Sequence, residues 1–560
     1  MRILPLFALF ACTPNTVPDV PSPGTSPGVT SLVETVPDGS AEVSISPPGK
    51  TFTGTLSAEI SGESGLTFRY TTDGTLPSEV DGTDALYEGP ITVSDSTFLQ
   101  VRAFRSGMPV GEVVAEAYLA IAPDLVDFDS NLPLVVIDSF GTWIDDADPS
   151  IHHPVTSVFL DTDADSGRAS ILGPVDHAGL GGMHIRGQST MGYEKRQYKF
   201  ETWDPMREDE KVSLLGMPAD GDWILHAPYA DKTLMRNHLM YKWSNDIGRY
   251  AVRTQFVEVF VATDMQPVGW DDYQGVYVLM EKVERHDERV DIAKLDVDDT
   301  TEPDISGGYL FKKDRLQEPW FTTSTYYDEL LYVDPEVEDL SEEAVNWLQN
   351  HFDSFEAALA GPNYTDPVLG YGPYIDADTF ADHLLLVEMG RNVDGYILST
   401  FVYKDREGPI SMGPIWDFNG GLGNADYFCA YAIVGWQYEF DDNNCGFGFD
   451  NPRWEPAGFA WYARLLTDPA YVELQNQRWQ MHRTDTLTDA KLMADIDEVR
   501  LLLTDNGAVD NPMTRNFERW PVLQEYVWPN TFCCGTYDEH VDWMKDWLTQ
   551  RLVWMDGQLQ

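Results

Sequence analysis

The chain has 560 residues, of which 43% are hydrophobic and 12% aromatic. That share is enough for a large buried core, and it excludes a mostly disordered chain. Asp and Glu total 92 while Lys and Arg total 37, which gives a formal net charge of −55. Such a surface repels nucleic-acid phosphates and anionic lipid headgroups, so we expect no nucleic-acid partner.

The N-terminus has the pattern of a bacterial lipoprotein signal, assigned to residues 1–12. Arg2 precedes an apolar run that ends at Cys12. The run is too short to span a bilayer, which needs about 20 apolar residues. Residues 13–40 are rich in Pro, Ser, Thr and Gly and predict an extended linker. We expect export, with the membrane contacted only through lipid on Cys12, facing the periplasm or the cell exterior. An ordinary signal peptide with an unmodified cysteine is the alternative.

Four cysteines remain after the signal: Cys429, Cys445, Cys533 and Cys534. An even number of cysteines in an exported chain favours disulfides. The pattern allows two arrangements. In the first, Cys429–Cys445 closes a Gly/Asn/Asp-rich loop and Cys533–Cys534 is a vicinal bridge. In the second, each bridge joins one cysteine of the first pair to one of the second.

Residues 41–122 predict a small all-β module. Short alternating segments are separated there by clusters of Gly, Pro, Asp and Ser. The segments Tyr70–Ser78 and Tyr87–Ile91 resemble the chitobiase C-terminal β-sandwich family, which implies an immunoglobulin-like sandwich that acts as a spacer. Contact with polysaccharide through this module is a further expectation.

The remainder divides into a mixed α and β region, residues 130–440, and a mostly helical extension, residues 441–560. Apolar spacing predicts a helix over residues 231–248, because Asp231 can cap its start and Gly248 can follow its end. The predicted fold class is therefore α+β.

A glycine-rich segment around Gly187 and Ser189 predicts a phosphate-binding turn. Glycines allow the backbone to approach phosphates closely, and neighbouring cations neutralise them. The available cations are Arg186, Lys195 and Lys199.

Two aspartates on either side of a predicted β-hairpin indicate a phosphoryl-transfer centre. Asp394 follows a helical segment, and the second hairpin strand leads directly to Asp417 and Asn419. In protein kinases the first such Asp handles the substrate hydroxyl and the second binds Mg²⁺ at the phosphates.

A longer series of motifs carries a family resemblance. In chain order they are Arg186-Gly187-Gln188-Ser189-Thr190, Lys195-Arg196-Gln197-Tyr198-Lys199, Leu215-Gly216-Met217, Asp222-Trp223, Asp231 with Arg236-Asn237, Val257-Glu258-Val259, Gly275-Val276-Tyr277, Gly308-Tyr309-Leu310 and Trp416-Asp417-Phe418. Together they resemble the CotH family of atypical protein kinases. The resemblance implies a kinase that uses ATP and Mg²⁺ or Mn²⁺, with Asp394 as catalytic residue, Asp417 as metal ligand, and Lys195 or Lys199 at the phosphates.

The sequence departs from the kinase pattern at the metal and lysine positions. Asn419 stands where the family often has a second Asp, and Ser399 stands five residues after Asp394, where kinases have Asn. These side chains would complete the metal site. Glu258 or Glu281 would have to pair with the lysine.

We therefore predict an exported kinase that transfers the γ-phosphoryl group of ATP to Ser or Thr of proteins at the cell envelope. A catalytically degenerate kinase fold that serves as a scaffold is the main alternative. A carbohydrate-binding or carbohydrate-active surface protein is a third hypothesis, although no carboxylate pair stands out as acid and nucleophile.

Overall fold

A computed structural model of the chain describes residues 41–78, 84–144, 151–315, 319–439 and 457–560. The predicted lipoprotein signal and linker therefore lie outside the described residues. No helix within these ranges is long and apolar enough to cross a bilayer.

The N-terminal module is a sandwich of two β-sheets. Its strands are β1 (Val43–Ser46), β2 (Lys50–Phe52), β3 (Leu56–Gly62), β4 (Thr67–Thr71), β5 (Ala85–Leu86), β6 (Ile91–Val93), β7 (Thr97–Arg105) and β8 (Met108–Ala120). The sheet orders are β1-β3-β6 and β2-β8-β7-β4-β5. Alternating side chains such as Ile45, Ile60 and Val101 fill the space between the sheets. The predicted all-β module is confirmed.

A closed β-barrel follows the sandwich. The elements of this region are β9 (Asp129–Ser130), β10 (Leu134–Asp138), β11 (His153–Leu160), β12 (Ala169–Ser170), β13 (His177–Ile185), β14 (Tyr198–Trp203), β15 (Asp222–His226), α1 (Arg236–Asp246), β16 (Thr254–Ala262) and β17 (Tyr273–Glu281). The barrel order is β10-β11-β13-β14-β15-β17-β16, and β10 closes it by pairing in parallel with β16. Both faces of β10 are buried: Val135 and Ile137 belong to one core cluster, and Leu134 and Val136 to another.

A second five-stranded sheet and a set of helices complete the chain. They are β18 (Tyr309–Lys313), β19 (Trp320–Thr322), β20 (Glu329–Asp334), α2 (Glu342–Ala360), α3 (Ala377–Gly390), β21 (Thr400–Lys404), β22 (Ile410–Met412), α4 (Ala457–Leu465), α5 (Pro469–Thr484), α6 (Asp489–Leu503), α7 (Pro512–Arg519) and α8 (Tyr537–Gln558). The sheet order is β19-β20-β18-β21-β22. The largest core cluster joins α1, this sheet and the C-terminal helices. The α+β class is confirmed.

Helix α7 of the C-terminal segment packs against the barrel. Arg515 on α7 forms a bidentate ion pair with the buried Glu258 on β16. Asn516 on the same helix accepts a hydrogen bond from the backbone N–H of Val276 on β17. A side chain at Gly275 would collide with Asn516, so this helix requires glycine there. The helical segment is thus integral to the core that positions the cleft described below.

The predicted helix over residues 231–248 begins later, at Arg236. The carboxylate of Asp231 accepts hydrogen bonds from the backbone N–H groups of Thr233 and Arg236, which forms a turn ahead of the helix. Leu234 in that turn has a φ of +66°, outside the range of a right-handed helix. A strongly hydrogen-bonding Asp favours such a turn over helix continuation.

The cysteine predictions are only partly within the described residues. The sulfur atoms of Cys533 and Cys534 are paired. Cys12 and Cys445 lie outside the described ranges, so acylation of the first and bridging of the second stay predictions.

Candidate active site

A cleft lies where the barrel, α1 and the β18–β22 sheet meet. Its lining is made of Arg186, Gly187, Gln188, Ser189, Thr190, Gln197, His226, Asn237, Tyr241, Met280, Asp314, Arg315, Asp394, Leu398, Ser399, Trp416, Asp417 and Asn419. The cleft measures about 160 Å³, below the ~300–1,000 Å³ of typical small-molecule pockets.

Asp417 lies in the irregular segment that follows β22, in a bend that we call the Asp417 turn. Its φ of +58° is rare for a residue with a side chain. Three hydrogen bonds hold the turn: the Asp417 N–H donates to the Tyr241 hydroxyl (3.1 Å), its carbonyl accepts from Asn392 Nδ2 (3.1 Å), and the Phe418 N–H donates to Asn237 Oδ1 (2.7 Å). Unusual backbone angles that the surroundings fix in this way are common at functional sites.

Asp394 faces the same cleft from the loop after α3. Its backbone N–H donates to Asn392 Oδ1 (3.1 Å), so Asn392 ties the Asp394 loop to the Asp417 turn. Burial raises the pKa of Asp394 to about 7, and the negative charges of Asp417 and Asp314 add to the rise while Arg315 opposes it. Burial also raises the pKa of Asp417 to about 6, against the effect of Arg186. The negative charge of Asp417 therefore disfavours ionisation of Asp394.

The glycine turn supplies backbone and one cation to the cleft. Gly187 has a φ of +107°, and a Cβ there would lie 2.0 Å from Thr190 Oγ1 and 2.5 Å from Gln197 Nε2, so only glycine fits. The adjacent Arg186 guanidinium lies 6.0 Å from the Trp416 ring centroid. Among the described residues it has no hydrogen-bond or ion-pair partner. Burial lowers its pKa and the charge of Asp417 opposes that shift.

Both candidate lysines lie away from the cleft. The Lys195 ammonium is buried and donates to the carbonyl of Val276 and to Asn516 Oδ1 (2.8 Å). Burial keeps its pKa well below the ordinary lysine value. Lys199 Nζ is bound by Glu201 (2.6 Å) and Asp222 (3.1 Å) on the outside of the barrel. Sequence spacing shows neither burial nor these competing partners.

The two candidate glutamates are also engaged elsewhere, with arginines. Glu258 pairs with Arg515 at 2.6 Å. Glu281 accepts from Arg253, whose Nη2 lies 2.7 Å from Oε1. Neither glutamate lines the cleft, and neither pairs with Lys195 or Lys199.

The cleft contains charged residues that the sequence reading missed. Asp314 and Arg315 follow β18, and Arg315 Nη1 donates to Gln188 Oε1 across the cleft (3.2 Å). The Gly308-Tyr309-Leu310 motif lies at the start of this strand. The motif could therefore have pointed to Asp314 and Arg315, which follow the end of the same strand. His226 ends β15, and no motif marked it. Asn237, at the start of α1, belongs to the Arg236-Asn237 motif but had been given no role in the site.

The oxygen donors in the cleft suit a hard divalent cation. Asp417, Asn419 and Ser399 all line it, and oxygen ligands are those that Mg²⁺ and Mn²⁺ prefer. Among the described residues, no group of three or more His, Cys, Asp or Glu side chains is arranged to hold a metal. Mg²⁺ in nucleotide enzymes is usually held by one or two carboxylates together with substrate phosphates. The side chains present fit that shared arrangement rather than an all-protein metal cage.

Replacing Asp394 by asparagine should stabilise the metal-free protein at pH 8. The folded-state pKa lies above the unfolded value, so the ionised carboxylate destabilises the fold as the pH rises from about 4 to 7. We expect a gain of about 2–4 kcal/mol, since one pKa unit corresponds to about 1.4 kcal/mol. Denaturant unfolding in EDTA at pH 8 and pH 4 measures this gain, which should vanish at pH 4. Asp287→Asn is the control, because the side chain of Asp287 is 89% exposed. An equal gain at both pH values would contradict the burial argument.

Comparison with known families agrees with this architecture. A family model described as CotH kinase protein matches residues 183–555. The chain belongs to the CotH kinase family, which supports a kinase-like function. The match includes nearly all of the C-terminal helical segment. Residues 47–115 match the chitobiase/beta-hexosaminidase C-terminal domain. No curated protein matches the chain at a significant level.

Proposed function

We propose that the chain is a protein kinase that uses ATP and a divalent cation to phosphorylate Ser or Thr. The observation that carries the proposal is the placement of Asp394 and Asp417 in one cleft beside the Gly187 turn, with Asn392 hydrogen-bonded to both aspartate segments. Phosphoryl transfer depends mainly on positioning and charge neutralisation, which such a constellation supplies.

Each residue has a distinct role in this proposal. Asp394 accepts the proton of the acceptor hydroxyl. The hydroxyl oxygen forms a bond to the γ-phosphorus of ATP, and the bond between that phosphorus and ADP breaks. A raised pKa suits Asp394 to the role of general base. Asp417, with Asn419 and Ser399, would hold the Mg²⁺ or Mn²⁺ ion. That ion would neutralise the phosphate oxygens.

In this proposal arginines supply the cations, and neither candidate lysine does. Arg186 was among the predicted phosphate-binding residues, whereas Arg315 was not. Arg186 and Arg315 are the cations that line the cleft, among the residues described. A guanidinium binds phosphate through two parallel hydrogen bonds, so it is well suited to this role. Buried Lys195 instead stabilises the contact between the barrel and α7.

Arg186→Met should therefore weaken nucleotide binding, whereas Lys195→Met should not. For Arg186→Met we expect a Kd for Mn²⁺–ATP about 10- to 100-fold higher, because a hydrogen bond to a charged group contributes about 1.5–3 kcal/mol. For Lys195→Met we expect the Kd of the folded protein to stay within about twofold, with a lower Tm. Isothermal titration calorimetry measures both. The reverse order of effects would restore Lys195 as the phosphate-binding residue.

A scaffold without catalysis is the second candidate. It is favoured by the absence of both candidate lysines from the cleft lining and by the paired state of Glu258 and Glu281. Nucleotide binding distinguishes the two candidates. Saturation at 100 times Kd should stabilise a nucleotide-binding protein by about 2.7 kcal/mol, whereas a scaffold would show no shift.

The setting that we propose is the bacterial cell envelope. The N-terminal sequence pattern supports export and acylation at Cys12, and the sandwich supports a spacer role that holds the kinase away from the membrane. Acceptors would then be envelope proteins.

Replacing Cys12 by serine tests the proposed lipid anchor, because it removes the site of acylation. The protein should leave the membrane fraction, and its retention there would contradict acylation at Cys12.

A further inference from the structure

A chain of hydrogen bonds runs from the glycine turn to the Asp417 turn. Gln197 Nε2 lies 2.7 Å from Thr190 Oγ1, and Gln197 Oε1 lies 3.0 Å from His226 Nδ1. His226 Nε2 lies 3.4 Å from Asn237 Nδ2, and Asn237 Oδ1 accepts the Phe418 N–H at 2.7 Å. The four side chains all line the cleft.

The direction of every hydrogen bond in this chain is determined. Gln197 Oε1 can only accept, so Nδ1 of His226 carries a proton. Asn237 Nδ2 can only donate, so Nε2 of His226 is the bare acceptor. This orientation of the Asn237 amide leaves its oxygen free for the Phe418 N–H. A neutral imidazole with the proton on Nδ1 is therefore the only form that satisfies both neighbours.

The surroundings of His226 favour that neutral form. The side chain is 6% exposed. Burial lowers its pKa to about 3; the charges of Arg186 and Lys195 add to the shift, and Asp231 opposes it. The imidazole therefore stays uncharged throughout the physiological pH range.

We propose that His226 is a positioning residue, which acts through Asn237 to hold the Asp417 turn in the conformation that binds metal and nucleotide. The proposal rests on the proposed kinase function and adds His226, which no motif marked. Asp417 has a φ of +58°, a backbone conformation that residues with a side chain rarely adopt. The turn therefore needs surrounding hydrogen bonds to keep it in this conformation. Phe418 N–H is one of the three backbone contacts that hold this turn, and it depends on the orientation of Asn237.

Two substitutions at His226 separate this role from simple packing. His226→Leu removes the acceptor and leaves the Asn237 amide free to turn over. His226→Gln can place a carbonyl oxygen where Nε2 was, which keeps the acceptor for Asn237. We expect Mn²⁺ affinity in the presence of ATP, measured by electron paramagnetic resonance, to fall about 10- to 100-fold in His226→Leu, the usual cost of losing a partner behind a metal ligand. His226→Gln should stay within about threefold of wild type.

His540→Leu is the matched control. His540 is 5% exposed, and its imidazole contacts the carbonyl of Leu523 instead of a cleft residue. Its loss should lower Tm and leave Mn²⁺ affinity unchanged. Equal Mn²⁺ affinity in wild type and His226→Leu would overturn the inference while leaving the proposed function intact. A wild-type protein that binds no Mn²⁺–ATP would overturn the proposed function itself.

Nitrogen NMR of the wild-type imidazole tests the chain without any variant or activity. The ¹⁵N shifts of His226, assigned by comparison with His226→Gln, should show a proton on Nδ1 and a bare Nε2 from pH 5 to pH 9. A proton on Nε2, or an imidazolium within that range, would overturn the inference whatever the catalytic activity.

Discussion

Asp417→Ala is expected to abolish metal-dependent nucleotide binding and phosphoryl transfer together. Asp417 is the only aspartate in the predicted metal set, so its loss removes the charge that holds the cation against the phosphates. Asp394→Ala should leave Mn²⁺–ATP binding nearly intact and lower kcat by about 10²–10⁴, the usual contribution of a general base. This difference arises because Asp394 acts on the incoming hydroxyl rather than on bound ATP.

The comparison needs kcat and Kd for both variants under the same conditions. Asp287→Asn, at an exposed position, controls for the loss of a negative charge from a very acidic chain. Equal loss of ATP affinity in the two cleft variants would contradict the separate roles given to them.

Arg551→Met is expected to have the largest effect on stability. Arg551 on α8 and Glu388 on α3 form an ion pair at 3.1 Å in which both side chains are 0% exposed. Arg551 also donates to the carbonyl oxygens of Ile433 and Gly435. Its removal leaves the Glu388 carboxylate buried without its cation, which costs about 3–5 kcal/mol.

Denaturant unfolding of three variants tests this account. Arg105→Met removes a surface ion pair with Glu63, whose side chains are 48% and 52% exposed, and should cost at most about 1 kcal/mol. The double variant Arg551→Met/Glu388→Gln should recover part of the loss, because no uncompensated charge stays buried. A cost below about 1 kcal/mol for Arg551→Met would show that the pair is not the link between α3 and α8.

The sequence predicted the parts of the site that depend on local order along the chain. Asp394 and Asp417 flank a hairpin, and short-range patterns reveal hairpins reliably. The glycine at position 187 was likewise visible, because only glycine tolerates such a turn. These residues line one cleft as the family resemblance implied.

Which of the three candidate cations faces the cleft could not be predicted in the same way. Whether Lys195 or Arg186 faces the cleft depends on the direction in which each side chain leaves the barrel and on which partners it meets there. Asn516, the partner of Lys195, lies 321 residues away along the chain. The His226–Asn237 contact depends on the angle between β15 and α1, which no periodicity encodes.

Transfer of labelled phosphate from [γ-³²P]ATP is the most direct test of the central claim. The purified protein would be incubated with Mn²⁺ and a Ser-containing acceptor protein, beside Asp394→Ala and Asp417→Ala prepared in parallel. We predict label on the acceptor with the wild type, strongly reduced label with Asp394→Ala and none with Asp417→Ala. No transfer by the wild type, or transfer that survives Asp417→Ala, would contradict the assignment of this cleft as a kinase active site.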